Sequence, residues 1–316
     1  MTRHVIVGRG AVGSTTAQLL AERGHEVRVV SRSGGSSGTA QGTGSVEYIA
    51  ADAADAAALS DIAQGAVALY NCANPAYHRW PVDWPPLANA LLEAAEATGS
   101  VLVTTSNLYV YGPVAGPMTE DLPLATSGTK GRVRAQMWRD AKARHHSGRI
   151  RATEARASDY FGPLVTDQSH IGARVLEPIG HGKTVRVVGD PDQPHSWTYV
   201  PDVARALVRL GADERAWGRV WHVPTNPPRS QREMVTRMCE IAGVEPVPVR
   251  GIPKIAVRGV GLFSKTTREL NETWYQFDRP FVLDSSAYTN TFGESATPMD
   301  EALSSTLDWW RSRPAS

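Results

Sequence analysis

The chain has little capacity for covalent cross-linking: it holds two cysteines, Cys72 and Cys239, in 316 residues. They lie far apart among apolar neighbours. A disulfide framework is excluded, and buried structural thiols in a reducing, cytoplasmic setting are expected. Charge is nearly balanced, 33 Lys and Arg against 32 Asp and Glu. No basic excess is left to neutralise a nucleic-acid backbone or an acidic membrane, so neither is expected as a partner. No apolar run has the length a bilayer crossing needs. The N-terminus enters an apolar strand pattern at once, which leaves no room for a signal peptide. His, Cys and carboxylates nowhere converge at ligand spacing, so no metal is expected; His145 and His146 stand at a helix end without a partner pattern. Internal repeats, low-complexity tails and charge blocks are also missing. What remains is long enough to bury a real core, in one large domain or two.

The N-terminus carries the strongest pattern. His4-Val5-Ile6-Val7 runs into Gly8-Arg9-Gly10-Ala11-Val12-Gly13, a G-x-G-x-x-G turn after a strand-like run. Val12, Thr16, Leu19 and Leu20 then recur at helical spacing, and Gly24 supplies a stop. Gly8 permits the tight turn, Gly10 lets the backbone approach a pyrophosphate, and Gly13 lets the helix pack on the sheet. The pyrophosphate is expected on the N–H groups at the helix N-terminus. The next apolar run ends in Ser31-Arg32-Ser33. An NAD site wants an acid there for the ribose 2′-hydroxyl; a guanidinium flanked by hydroxyls suits a 2′-phosphate instead. The pattern therefore points to NADP(H). The Gly- and Ser-rich stretch from Arg32 to Ser45 reads as a flexible loop or as a flap over the adenosine end.

Strand-like runs near 4–8, 27–31, 45–49, 67–72, 101–105 and 150–157 alternate with helical patterns near 12–23, 55–63, 86–98 and 131–146. That alternation predicts an α/β fold, a Rossmann-type doubly wound parallel sheet with a smaller C-terminal substrate domain. Ligands in such sheets bind outside the carboxyl ends of the strands, which directs attention to Asn71–Asn74, Thr104–Gly112 and Ser158–Pro163. Prolines then punctuate the chain, with helices expected near 201–211, 230–242 and 298–312. The expected division is 1–164 for cofactor binding and 165–316 mostly for substrate, with segments around 196–224 returning to the first domain.

Several motifs resemble the extended short-chain dehydrogenase/reductase family, the NAD(P)-dependent epimerases and dehydratases, over nearly the whole length. These are Asp52 after the third strand, Val101 to Gly112 with its Tyr-Gly turn, Met118 to Pro123, Arg156-Ala-Ser-Asp-Tyr-Phe-Gly-Pro163, Val187 to Asp190, Trp197 to Ala204, Asp284-Ser-Ser and the closing Met299–Trp309 segment. The resemblance implies cofactor contacts at Asp52 and Ala53, at Cys72-Ala73-Asn74, at Thr104 and at Ser158. It implies a substrate side at Asp159, Tyr160 and His195. It also implies dimerisation through the helices near 86–98 and 131–146. Val133, Met137, Trp138 and Ala141 give only a narrow stripe there, so a monomer and a homodimer both stand.

The departures matter more. The family's catalytic Ser or Thr position holds Asn107, and no tyrosine occurs between Tyr111 and Tyr160 to supply the Tyr-x-x-x-Lys pair. Anchoring on Gln136 places Arg132 at the lysine position; a slip of one or two residues brings in Lys130. A guanidinium does not deprotonate, and an amide does not titrate. The usual proton relay is therefore missing. Tyr109 is the preferred donor, with Asn107 polarising the reacting oxygen and Arg132 anchoring the cofactor ribose; Tyr111, Tyr160 and His195 are alternatives. His195 and Asp159 replace an Arg and an Asn of the sugar-nucleotide members, which argues against a nucleotide-sugar substrate. Trp80, Trp84, Trp274, Tyr275 and Phe277 either line an apolar pocket or fill the core. Three functional readings follow: an NADP(H)-dependent oxidoreductase, epimerase or dehydratase on a non-nucleotide small molecule; a cofactor-sensing regulator without turnover; and an enzyme that keeps the fold without hydride chemistry.

Overall fold

Runs such as Val5-Ile6-Val7 and Val101-Leu102-Val103 have no solvent-facing alternation, and all six side chains are buried. They form central strands covered on both faces. The computed structural model describes residues 1–35, 38–39, 44–166, 169–261 and 264–313. Its first elements are β1 (Arg3–Val7), α1 (Ala11–Glu22), β2 (Glu26–Ser31), β3 (Gly38–Thr39), β4 (Ser45–Ala50) and α2 (Ala56–Ile62). Next come β5 (Ala66–Asn71), α3 (Trp80–Thr98), β6 (Val101–Asn107), α4 (Thr129–His146) and β7 (Arg151–Ala157). Then follow β8 (Asp159–Phe161), α5 (Ala173–Gly180), β9 (Val185–Val188), β10 (Trp197–Tyr199), α6 (Val200–Ala212) and β11 (Val220–His222). The last are α7 (Gln231–Ala242), β12 (Val249–Ile252), α8 (Lys254–Gly261), α9 (Lys265–Glu269), α10 (Ser286–Phe292) and α11 (Met299–Ser312).

The main sheet has the order β11-β7-β6-β5-β1-β2-β4-β3. Among the described residues of this sheet, seven strands run parallel and β3 alone pairs antiparallel, with β4. The chain leaves β1 toward β2 and β4, then crosses back to β5 on the other side of β1. The strand order therefore reverses between β1 and β5, and a crevice opens beyond their carboxyl ends. This is the Rossmann-type α/β architecture the alternation predicts.

The described residues fall into two compact units. One holds Met1–Val110, Leu124–Arg156 and Val203–Val223; the other holds Tyr111–Pro123, Ala157–Asp202 and Pro224–Ser316. The chain first leaves the first unit at Val110, returns at Leu124 and leaves it again at Arg156, after which β8 pairs with β10. The second unit has its own core, in which Val175 and Leu176 of α5, Met234 and Met238 of α7 and Leu303 of α11 are buried together. Trp274 and Phe277 are buried with Val188 and Val257 in a second cluster of this unit.

Helix α3 starts six residues before the helical pattern in the sequence suggests. Prolines 81, 85 and 86 hide its first turns. Pro81 is at a position whose N–H needs no helical partner, while Pro85 and Pro86 each remove a helical hydrogen bond. Burial offsets that loss: Trp80 and Trp84 are fully buried edge to face, with ring centroids 6.1 Å apart. The Arg134 guanidinium lies over both rings, at 4.7 and 4.3 Å. The α4 stripe divides as well. Trp138 and Ala141 point into the core, while Val133 and Met137 line an open groove of about 630 Å³ with Trp84 and Arg132.

A buried imidazole sits beneath the start of β1. His4 Nδ1 meets Tyr70 Oη at 3.3 Å, and Nε2 meets Thr2 Oγ1 at 3.0 Å. One hydroxyl can donate while the other accepts, which suits the neutral ring. Burial, reinforced by His25, lowers the His4 pKa from 6.5 to about 4. The unfolded chain then binds the extra proton first as pH falls. Stability is intact above pH 6.5 and declines between about 6.5 and 4, by roughly 3 kcal/mol in total. Chemical denaturation at pH 7.5 and pH 5 is expected to show that decline in the wild type. His4→Asn should flatten it, whatever its effect at pH 7.5; an unchanged slope would remove His4 as the cause.

Candidate dinucleotide-binding and active site

The three glycines of the first turn differ in what surrounds them. Gly8 has φ +107°, and a Cβ there would lie 2.6 Å from the Cys72 carbonyl oxygen. A Cβ on Gly13 would lie 2.0 Å from the Gly8 carbonyl oxygen. These two let α1 close onto β1. Gly10 has nothing within 4 Å of its notional Cβ. Packing among the described residues does not require a glycine there. Gly10 is also the N-cap of α1, without a side-chain cap and without an acid in the first turn. The N–H groups of Ala11, Val12 and Gly13 start a helix that has no internal acceptor for them. An uncapped twelve-residue helix below an open cradle fits a pyrophosphate.

Beyond β2 the chain turns at Ser31–Gly34. Gly34 donates its N–H to the Ser31 carbonyl at 3.2 Å, and Ser31 Oγ donates to the Gly34 carbonyl at 3.3 Å. Arg9 Nη1 donates to that same carbonyl at 2.6 Å. Arg32 and Ser33 are exposed. Just before α3, Arg79 grips Asp83 of its first turn at 2.8 and 2.6 Å. Those hydrogen bonds, with the charges of Arg79, Arg32 and His78, hold the Asp83 carboxyl below its usual range. After β4, Asp52 is exposed and accepts the Ala54 N–H at 3.0 Å, and Ala53 is half-buried. After β5, Asn71 Oδ1 accepts the Ala73 N–H at 3.3 Å, and Asn74 is exposed. Cys72 is half-buried beside the Thr105 hydroxyl at 3.7 Å, and burial pushes its thiol up to about 12, which makes it inert. Thr104 is buried in the middle of β6. Of the Gly- and Ser-rich stretch read as a loop or flap, residues 36–37 and 40–43 lie outside the described residues.

Asn107 ends β6, and its Oδ1 accepts the Tyr109 N–H at 3.1 Å. This bond assigns the amide and leaves the NH₂ as the group that can donate outward. Tyr109 is half-buried, with its hydroxyl 3.4 Å from that of Tyr77 and its ring 6.2 Å from Trp80. Lys130 is buried, with its ammonium 5.9 Å from the centre of the Tyr77 ring. The next residue explains this approach. A Cβ on Gly131 would meet the Tyr109 carbonyl at 2.3 Å and Thr126 Oγ1 at 2.2 Å, so only glycine lets α4 come so close. Arg132 is not gathered with Asn107 and Tyr109. Two residues are a rotation of ~200° along a helix, so it faces the opposite side from Lys130. It is exposed and donates to the Ser127 carbonyl and to Thr129 Oγ1. Tyr111 is buried. Sequence reasoning did not single out Tyr77, and held Lys130 only as a slipped alternative; Gly131 was the available signal for Lys130.

In the second unit, Ser158 is buried and donates its N–H to Thr198 Oγ1 at 3.1 Å. Tyr160 is half-buried, and its carbonyl accepts the Ser169 hydroxyl at 2.5 Å. His195 is buried, with Nε2 2.9 Å from Asp159 Oδ2 and Nδ1 3.2 Å from the Gln276 carbonyl. Both ring nitrogens face oxygen acceptors, which an imidazolium satisfies together. Its ring lies 4.3 Å from Trp197 and stacks on Phe277 at 5.8 Å. Burial alone would raise the Asp159 pKa. The hydrogen bond from His195 and the charges of His170 and His195 outweigh it and bring the carboxyl below its usual range. Burial lowers the pKa of the neighbouring His170, against the pull of Asp159.

Among the described residues no group of three or more His, Cys, Asp or Glu can hold a metal, and no helix is long and apolar enough to cross a membrane. The sequence profile of the NAD dependent epimerase/dehydratase family matches residues 5–223, and the chain belongs to that family. Solved structures share the fold. The chain is similar to UDP-glucose 4-epimerase of Thermotoga maritima at 17% identity, TM-score 0.80, over 98% of this chain and 99% of that one. It is similar to dTDP-glucose 4,6-dehydratase of Bacillus anthracis, in complex with NAD, at 16% identity, TM-score 0.77, over 98% and 97%. UDP-glucuronic acid 4-epimerase of Bacillus cereus, in complex with UDP-glucuronic acid and NAD, gives 17%, 0.74, 98% and 99%. No curated protein sequence matches the chain.

The glycine geometry separates folding from binding. Gly10→Ala should keep the wild-type melting temperature and lose at least about tenfold in affinity for a nicotinamide dinucleotide, since only the cradle is filled. Gly13→Ala should lose stability by several degrees, because its Cβ meets backbone. Equal stability losses, or Gly10→Ala binding as tightly as wild type, would contradict this division.

Proposed function

We propose that the chain is an NADP(H)-dependent oxidoreductase or epimerase/dehydratase-like enzyme acting on a non-nucleotide small molecule. The observation that carries the cofactor preference is the Ser31-Arg32-Ser33 turn at the end of β2, exposed at Arg32 and Ser33 and without a carboxylate. An acid there would repel a 2′-phosphate, whereas a guanidinium between two hydroxyls attracts it. Gly8 to Gly13 would hold the pyrophosphate, Ser31 to Ser33 the 2′-phosphate, and Asp52, Ala53, Cys72 to Asn74, Thr104 and Ser158 the rest of the dinucleotide. When bound, the nicotinamide supplies hydride chemistry, and the protein supplies orientation and electrostatics.

The proton falls to the chain's own side chains. Asn107 offers its NH₂ to a substrate oxygen, and Tyr109 is the nearby group on the same loop that can give a proton at its Oη. Lys130, buried on the facing turn of α4, supplies the positive charge that Arg132 was expected to bring. Asp159, Tyr160 and His195 form the substrate side. The carboxylate of Asp159 disfavours a diphosphate, which supports a substrate without one, although the structurally similar enzymes carry nucleotide sugars in their names. The aromatic groups around His195, Trp197 and Phe277, are buried and hold its ring in the core of the second unit. A second reading, a cofactor-sensing protein without turnover, is favoured by the absence of the Tyr-x-x-x-Lys pair.

Arg32→Glu should weaken NADPH at least about tenfold more than NADH in nicotinamide-fluorescence titrations. Equal losses would overturn the 2′-phosphate assignment. Tyr109→Phe should lower turnover of any carbonyl compound found active in an NADPH-consumption screen by about 10²-fold or more, with NADPH affinity retained. Unchanged turnover would remove Tyr109 from the mechanism. A screen with no consumption and tight NADPH binding would favour the sensor.

A further inference from the structure

The turn after β2 is weakly self-supporting. Among the described residues its internal hydrogen bonds are long, 3.2 and 3.3 Å, and both lie between Ser31 and Gly34. The short bond comes from outside: Arg9 Nη1 to the Gly34 carbonyl at 2.6 Å, a charge-assisted contact. The Arg9 guanidinium also lies 5.8 Å from the centre of the Tyr48 ring on β4. Gly35 seals the contact. A Cβ there would lie 2.3 Å from Arg9 Nη1 and 3.3 Å from Tyr48 Cγ. Gly34 has φ +58°, and its own Cβ would press on Ala50 at 3.1 Å. Three segments, the first glycine turn, the turn after β2 and strand β4, thus meet on one guanidinium.

We propose that Arg9 is a positioning residue for cofactor selection: with Tyr48 it clamps the Ser31–Gly34 turn and so holds Arg32 and Ser33 where a 2′-phosphate is read. The inference rests on the NADP(H) reading above. Arg9 sits between Gly8 and Gly10, in the turn that receives the pyrophosphate. The clamp therefore fixes the distance between the pyrophosphate cradle and the 2′-phosphate subsite. Without it, Arg32 remains present but loses its fixed direction. Preference for the phosphorylated cofactor then falls, while contacts common to both cofactors persist.

The experiment measures dissociation constants of NADPH and NADH, by nicotinamide fluorescence, for the wild-type chain and for Arg9→Met, Arg9→Lys, Gly35→Ala and Arg32→Glu. Arg9→Met is expected to weaken NADPH by about tenfold, the loss of a charge-assisted hydrogen bond, and NADH far less. Arg9→Lys should recover part of that loss. Gly35→Ala keeps the charge but displaces the guanidinium, so it should reproduce the selective loss. A Gly35→Ala chain that binds NADPH like wild type while Arg9→Met does not would mean that Arg9 touches the phosphate directly, and would overturn the clamp. Equal losses for both cofactors would place Arg9 at the pyrophosphate alone and overturn it too. Wild-type NADPH affinity in both Arg9→Met and Gly35→Ala, with preference lost in Arg32→Glu, would refute the clamp and leave the NADP(H) reading standing. A wild-type chain without NADPH preference would refute both.

Discussion

The close approach of α1 to β1 is the constraint on which the first unit depends. A Cβ at Gly13 would stand 2.0 Å from the Gly8 carbonyl, and one at Gly8 would stand 2.6 Å from the Cys72 carbonyl. These two contacts join the ends of β1 and β5 to the start of α1, on either side of the point where the strand order reverses. The same proximity leaves the α1 N-terminus facing an open cradle at Gly10. Packing and ligand capacity therefore share one turn but not one residue. A neutral methyl is costly to the fold at Gly13 and costly only to a ligand at Gly10.

A similar close approach shapes the far side of the crevice. Gly131 lets α4 press against the Tyr109 carbonyl, and helical phase then decides which cation enters. Lys130 is turned in and Arg132 is turned out, where it bonds back to Ser127 and Thr129 at its own helix start. An exposed guanidinium so occupied is a poor anchor for a ribose. A buried ammonium 5.9 Å from the centre of the Tyr77 ring, whose hydroxyl is 3.4 Å from that of Tyr109, is a better source of positive potential for a phenol. The tyrosines come from the segments after β5 and β6, whereas the family resemblance places such a tyrosine at the start of α4.

Strands with unbroken aliphatic runs, such as β1 and β6, were legible because full burial needs no alternation. The glycine turn was legible because its spacing encodes backbone geometry rather than side-chain contacts. The start of α3 was not: prolines at 81, 85 and 86 argue against a helix locally, and only the burial of Trp80 and Trp84 against Arg134 overrides them. The choice between Lys130 and Arg132 was not legible either. It depends on helical phase: a motif anchored on Gln136 selects Arg132, which the helix leaves exposed, while Lys130, two residues earlier, is buried. Tyr77 escaped notice because its relation to Tyr109 exists only across β5 and β6.

In the second unit, Asp159 and His195 show how one pair can be both buried and polar. Taking a carboxylate out of water is unfavourable unless its charge is met at short range. His195 meets it at 2.9 Å while its other nitrogen is bound to the Gln276 carbonyl, so the ring cannot swing to serve another partner without abandoning an acceptor. Phe277 and Trp197 hold the imidazole plane on its faces. The pair is therefore fixed in direction.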